Sequence, residues 1–182
     1  YLLASSRSKG KKIEFKEQEI VVEDLADFDF SKVQIGLFSP GGTVSAEYAP
    51  KAAKKGCIVI DNTSHFRMND DVPLIVPEVN ADILKDYFDD EDRSNIIANP
   101  NCSTIQMVMA LKPIHDEAII NRIVVSTYQS VSGAGKENMD ELWEQTKNIY
   151  ANQNIEKKKF TKQIAFNVIP QIGSFLENGD TK

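Results

Sequence analysis

Short apolar runs alternate with polar and helix-forming stretches through the first hundred residues. Tyr1-Leu2-Leu3-Ala4 reads as the end of a strand. Val33-Gln34-Ile35-Gly36-Leu37-Phe38 is almost continuously apolar and closes on Ser39-Pro40-Gly41-Gly42, which predicts a buried strand ending in a turn. A helix is predicted from Ser45 to about Lys55, with Gly56 as its stop, although Pro50 inside it argues against an unbroken run. Cys57-Ile58-Val59-Ile60 is the next strand and ends in Asp61-Asn62-Thr63-Ser64. Leu74-Ile75-Val76 follows as a short one, then a helix over 81–88 capped by Asn80, then Ile96-Ile97-Ala98. Apolar runs without strict alternation, interleaved with helices, predict a parallel sheet covered on both faces.

After Asn99-Pro100-Asn101-Cys102 the texture changes. Ser103 to about His115 has helical periodicity, with Ile105, Val108, Met109 and Leu111 available for one face. Arg122 to Val131 is a β-branched run, Lys136 to about Ala151 is a polar helix, and Asn154 to Gln163 reads as a solvated loop. The expected organisation is α/β, with a domain boundary near residue 100. Both chain ends fall where an interior piece of a longer protein would be cut.

Composition narrows the function classes. The chain has 182 residues, enough to bury roughly 70% of its unfolded surface. Its formal charge of −6 implies no broad basic face and argues against nucleic-acid binding. No apolar run approaches the ~20 residues needed to span a bilayer, and no secretory signal pattern opens the chain. Two cysteines, 45 positions apart, fit a reducing compartment and a cytoplasmic location rather than a disulfide framework. With only His65 and His115 beside them, no metal-ligand spacing is present.

Cys102 carries the first candidate chemistry. Pro100 forces extended geometry on Asn99, and Ser103-Thr104 opens a helix, so the thiol falls at a helix N-terminus. Unpaired N–H groups and the helix dipole there stabilise a thiolate and could hold a developing oxyanion. A free cysteine is also simply a good core residue, which is the reading for Cys57 inside its strand. Gly41-Gly42 between strand and helix lets backbone approach a phosphate, or is only a turn. Ser132-Gly133-Ala134-Gly135-Lys136 fails as a phosphate-binding P-loop, because Ser130 and Glu137 occupy positions that need Gly and Ser or Thr. Ser5-Ser6-Arg7-Ser8-Lys9 after the opening strand is basic and hydroxyl-rich, suited to a 2′-phosphate if the fold is dinucleotide-binding and otherwise a surface loop. Arg67 follows a strand end, where a guanidinium suits phosphate or carboxylate, with a surface ion pair as the alternative. His115 belongs with its own helix's C-terminal dipole.

These segments together resemble the aspartate-β-semialdehyde dehydrogenase family. The matching stretches are Leu3-Ala4-Ser5-Ser6-Arg7-Ser8, Phe38-Ser39-Pro40-Gly41-Gly42-Thr43, Val59-Ile60-Asp61-Asn62-Thr63-Ser64, Phe66-Arg67-Met68 and Val76-Pro77-Glu78-Val79-Asn80. The most specific are Asn99-Pro100-Asn101-Cys102-Ser103-Thr104 and Thr127-Tyr128-Gln129-Ser130-Val131-Ser132-Gly133-Ala134-Gly135. The resemblance runs over essentially the whole chain in the family's order, and it implies an α/β architecture: a Rossmann-like NADP-binding domain over residues 1–100, then part of an α/β substrate and dimerisation domain over 101–182. It implies Cys102 as the nucleophile that forms a thioester and Gln129 as the residue that orients substrate. Arg67 and Asn101 match phosphate-holding positions, and Ser5, Arg7 and Ser8 match the loop on the 2′-phosphate of NADP. Gly41, Gly42, Thr43, Ser132 and Gly133 match cofactor-contacting segments. The implied reaction is the NADP-dependent reductive dephosphorylation of 4-aspartyl phosphate to aspartate semialdehyde, serving lysine, methionine and threonine synthesis in a homodimer or homotetramer. The family's opening glycine loop, catalytic histidine and substrate-carboxylate arginine have no counterpart here, so little or no turnover is expected of the chain alone. N-acetyl-γ-glutamyl-phosphate reductase is the neighbouring alternative, disfavoured by Asn101 and Ser103 on either side of the cysteine. A non-catalytic nucleotide-binding module is the alternative from another class, disfavoured by the thiol itself.

Overall fold

A computed structural model describes residues 1–90, 92–173 and 175–180. The chain divides into two compact units, Tyr1–Ile123 and Val124–Lys182.

The first unit holds two three-stranded sheets. In one, β1 (Leu2–Ala4) runs parallel to β3 (Gln18–Asp24), with Leu2 opposite Val22, and β2 (Lys12–Phe15) pairs antiparallel to β3. The hairpin turn places Lys16 and Glu17 at φ 49° and 62°, the left-handed geometry that matches strand twist. The other sheet is fully parallel in the order β4 (Ile35–Phe38), β5 (Ile58–Asp61), β6 (Ile96–Ala98), with Gly36 opposite Val59 and Val59 opposite Ile96. Helix α1 (Gly42–Ala53) makes the crossover from β4 to β5 and continues through Pro50, so the predicted helix survives its proline and starts three residues earlier. Its buried Ala49, Ala52 and Ala53 let the helix lie close over Phe38, Cys57, Val59, Ile96 and Ala98, and Phe30, Phe66 and Val72 complete this core. Gly36 is required by the same close approach: a Cβ there would stand 3.0 Å from the Phe38 ring and 3.2 Å from Cys57 Sγ.

Three expectations need correction. The parallel sheet is covered unevenly: one face is packed throughout, whereas on the other Ile97 of β6 is buried but Ile35, Leu37 and Ile60 are exposed. Residues 74–76 form no strand; one bridge joins Leu74 to Ala98, and Ile75 N–H donates to the Ala98 carbonyl. Asn80 caps nothing downstream. It ends the short helix α2 (Pro77–Asn80), its Oδ1 accepts from Val76 N–H and its Nδ2 donates to the Leu74 carbonyl, while α3 (Ile83–Asp89) begins after Asp82. Helix α4 (Cys102–Ala118) follows β6, runs through Pro113 and has no buried residue.

The β-branched run 122–131 is assigned to no strand, since a strand exists only through a ladder partner and none of the described residues supplies one. Helix α5 (Lys136–Tyr150) forms as predicted. It buries Glu141 and Gln145, two polar side chains four residues apart. Glu141 accepts from the backbone N–H groups of Lys158 (3.1 Å) and Lys159 (2.5 Å), and Gln145 Oε1 accepts from those of Ile164 and Ala165. The predicted solvated loop is therefore tied to α5 through its main chain.

No helix among the described residues is long and apolar enough to cross a membrane, and no cluster of three or more His, Cys, Asp and Glu could hold a metal there.

Candidate active site

The turn after β6 sets the thiol. Asn101 adopts φ −60°, ψ 145°, and its Oδ1 accepts from Ser103 N–H at 2.9 Å, an N-cap that satisfies one of the donors left open by a helix start. Cys102 is then the first residue of α4, and its side chain is exposed. The thiol thus stands exposed beside the first-turn N–H groups of α4, donors that could face a developing oxyanion. Cys57 is fully buried, and desolvation pushes its thiol up from its ordinary range, away from the reactive form.

Arg67 reaches the same turn from the segment after β5. Its Nε donates to the Asn99 carbonyl at 2.8 Å and its Nη2 to the Asn62 carbonyl at 3.1 Å. Among the described residues no carboxylate pairs with it, so the surface ion pair is not what forms. A half-buried cation fixed by two carbonyls keeps further N–H donors for an anion. The histidines serve elsewhere. His65 packs edge-on against Phe66 at 4.6 Å, and His115 Nδ1 accepts from Ile120 N–H just past the end of α4.

Gly41 caps α1 at φ 94°, ψ 154°, a conformation reserved for glycine, with open space where a Cβ would point. Gly42 and Thr43 begin the helix. Beneath them lies a feature that the sequence reading missed. Asp61 is fully buried, and its two oxygens accept from Ser45 Oγ of α1 (2.5 Å) and Thr63 Oγ1 (2.7 Å). The only sequence signal was an acid at the end of an apolar strand, two residues before a threonine. Ser5 and Arg7 are exposed and Ser8 is half-buried, on a 3₁₀ turn closed by Ser8 N–H on the Ser5 carbonyl. The structure thus brings Arg67, Asn101 and Cys102 to one turn after β6, with Gly41, Gly42 and Thr43 after β4 at the same end of the sheet. Ser5, Arg7 and Ser8 follow β1, in the other sheet. These are C-terminal strand ends, where open α/β sheets hold their ligands.

The second unit presents the remaining candidates. Gln129 is exposed in the strandless run, and Ser132 and Gly133 are exposed on the 3₁₀ turn Val131–Ala134, where Ser130 Oγ accepts from Ser132 N–H.

Two family models match the chain: semialdehyde dehydrogenase, NAD binding domain, over residues 1–87, and semialdehyde dehydrogenase, dimerisation domain, over residues 111–182. Among curated relatives, an aspartate-semialdehyde dehydrogenase of Shewanella sp. (strain DB6705) is 56% identical over 180 residues, covering 99% of this chain and 52% of that protein. Aspartate-semialdehyde dehydrogenase 2 of Vibrio cholerae is 54% identical over 182 residues, 53% of its length. The crystal structure of aspartate semialdehyde dehydrogenase II complexed with ASA from Vibrio cholerae superposes with a TM-score of 0.93 at 53% identity, over 100% of this chain and 53% of that one. The chain spans about half the length of the relatives it matches.

Proposed function

The chain belongs to the semialdehyde dehydrogenase family, and from that premise we propose that it supplies the cofactor-binding part and the nucleophile of an NADP-dependent aspartate-semialdehyde dehydrogenase. The observation that carries this reading is one turn that joins an exposed cysteine at a helix N-terminus to a guanidinium with no acidic partner among the described residues.

In the biosynthetic direction the Cys102 thiolate attacks the acyl carbon of 4-aspartyl phosphate. The S–C bond forms, the C–O bond to phosphate breaks, and the leaving phosphate departs with its electron pair. Arg67 and Asn101 hold that phosphate as its charge grows, and the first-turn N–H groups of α4 face the acyl oxygen. Gln129 orients the substrate. The residues present fit NADP. Gly41 and Gly42 leave the first turn of α1 open to a phosphate, and Thr43, Ser132 and Gly133 are assigned to cofactor contact by their match to the family's segments. Ser5, Arg7 and Ser8 offer hydroxyls and a cation to the 2′-phosphate. The cofactor, when bound, supplies the hydride chemistry. Return of the Cys102 sulfur as a thiolate releases the semialdehyde. The base that takes and returns protons is assigned to the part of the family's length that this chain does not span.

We place the functional boundary near residue 100, supported by the interval between the matched segments, which end at 87 and resume at 111. Residues 101–182 then belong to the substrate and dimerisation domain of a cytoplasmic homodimer or homotetramer that acts on a small phosphorylated substrate.

The test is NADP reduction by the full-length protein, with aspartate semialdehyde against N-acetylglutamate semialdehyde, each with and without phosphate. Phosphate-dependent reduction of the first alone is expected, and Cys102→Ala lowers it at least ~10⁴-fold with NADP binding kept. Activity on the second substrate moves the chain to the neighbouring reductases. Turnover that survives Cys102→Ala removes the nucleophile assignment.

A further inference from the structure

Asn99 is held through its backbone N–H, its carbonyl and its side-chain amide nitrogen. Its N–H donates to the Asp61 carbonyl at 2.8 Å, its carbonyl accepts from Arg67 Nε at 2.8 Å, and its Nδ2 donates to Asn62 Oδ1 at 2.7 Å. The three partners lie within residues 61–67, and that segment is itself anchored. Asn62 N–H donates to the Phe38 carbonyl at the end of β4, and buried Asp61 is locked by the Ser45 and Thr63 hydroxyls. Between Asn99 and the thiol stand only Pro100, whose ring fixes φ and which has no N–H to give, and Asn101, the N-cap of α4.

We propose that Asn99 is a positioning residue for Cys102, carrying the rigidity of the β4 and β5 ends across Pro100 to the first turn of α4. The inference rests on the reading of Cys102 as the nucleophile. Without the Asn99–Asn62 bond the turn loosens, the Asn101 cap frays, and the N–H groups beside the sulfur lose their alignment. The thiolate then loses part of its stabilisation while the thiol stays exposed.

Asn99→Ala deletes the side-chain bond and leaves both backbone bonds. Asn99→Asp keeps the volume and removes the donor. Each is made in the full-length protein, with folding checked by circular dichroism. Alkylation of Cys102 by iodoacetamide at pH 7 is expected to slow about three- to five-fold in both, the scale of helix-terminus stabilisation. The kcat for semialdehyde oxidation falls about ten-fold or more, as for other small misplacements of a reacting group, while the KM for NADP stays within about two-fold. A purely structural role gives the opposite sign, because a loosened turn with an unchanged sulfur environment alkylates at the same rate or faster. A folded variant with wild-type or faster alkylation overturns the proposal, and Asn99→Asp decides if Asn99→Ala does not fold. If the wild-type protein shows no semialdehyde-dependent turnover, the functional reading fails, and the alkylation comparison still decides the positioning role.

Discussion

Cys57 ends the connection from α1 into β5 and is fully buried, whereas Cys102 opens α4 and is exposed. Both thiols adjoin a strand of the same parallel sheet, one before β5 and the other after β6. Around Cys57 everything is arranged for contact: Gly36 gives up its side chain to make room for the sulfur, and Ala49, Ala52 and Ala53 bring α1 down over it. Around Cys102 everything is arranged for direction, with a capped helix start, a proline and a tethered asparagine. The difference teaches that the chemistry of a thiol here follows from which end of the sheet it occupies. Before β5 the sulfur packs into the core under α1, whereas the C-terminal strand ends are where open α/β sheets hold their ligands.

The strongest way to break that comparison is to label both thiols at once. With iodoacetamide at pH 7, Cys102 is expected to react at least ~10³-fold faster than Cys57, because Cys57 becomes accessible only when the sheet opens. Peptide mapping by mass spectrometry reads the two rates separately. Similar rates would show that β5 opens as readily as the α4 turn and would end the distinction.

A smaller effect comes from filling the space beside the buried sulfur. Gly36→Ala pushes a methyl group to 3.0 Å from the Phe38 ring and 3.2 Å from Cys57 Sγ, so the ring or the strand must move. A loss of about 1–3 kcal/mol in urea unfolding is expected, with faster Cys57 labelling and an unchanged Cys102 rate. A neutral substitution would mean that the β4–β5 packing is looser than its contacts imply.

The same division between contact and direction explains what was legible in the sequence. Strands β4, β5 and β6 were readable because buried parallel strands are written as continuous apolar runs, and α4 and α5 because their periodicity survives without a partner. The β2–β3 hairpin was not anticipated: its turn is Lys16-Glu17 rather than an Asn-Gly type, and its strands are rich in charge. The β-branched 122–131 run forms no strand, since such composition states a preference that only a neighbouring strand can realise. At the candidate site, Asn101 and Cys102 were found because cap, proline and thiol are adjacent in sequence. What Arg67 binds was not, since the Asn99 carbonyl lies 32 residues away. Asp61 with Ser45, and Glu141 with Lys159, escaped for the same reason: a buried polar side chain is explained by partners that sequence spacing does not show.

The smallest effect tests whether burial alone sets the Cys57 thiol. Desolvation raises it from its ordinary value of 9.0. The unfolded chain, with its thiol at the ordinary value, therefore releases a proton first as pH climbs, and the folded chain keeps its own. Protons bound by the unfolded state then fall below those bound by the folded one, so a raised acid leaves stability untouched below pH 9 and drains it above. In Cys57→Ala this drain is absent, and only the pH-independent cost of the lost sulfur contacts remains. Urea unfolding of wild type and variant at pH 8 and pH 10 is expected to show the variant's deficit shrinking by about 1 kcal/mol at the higher pH, the scale of one pH unit of linkage. A deficit that stays constant would mean that the folded thiol titrates with the unfolded one, and that its burial does not separate it from water as the fully covered sulfur requires.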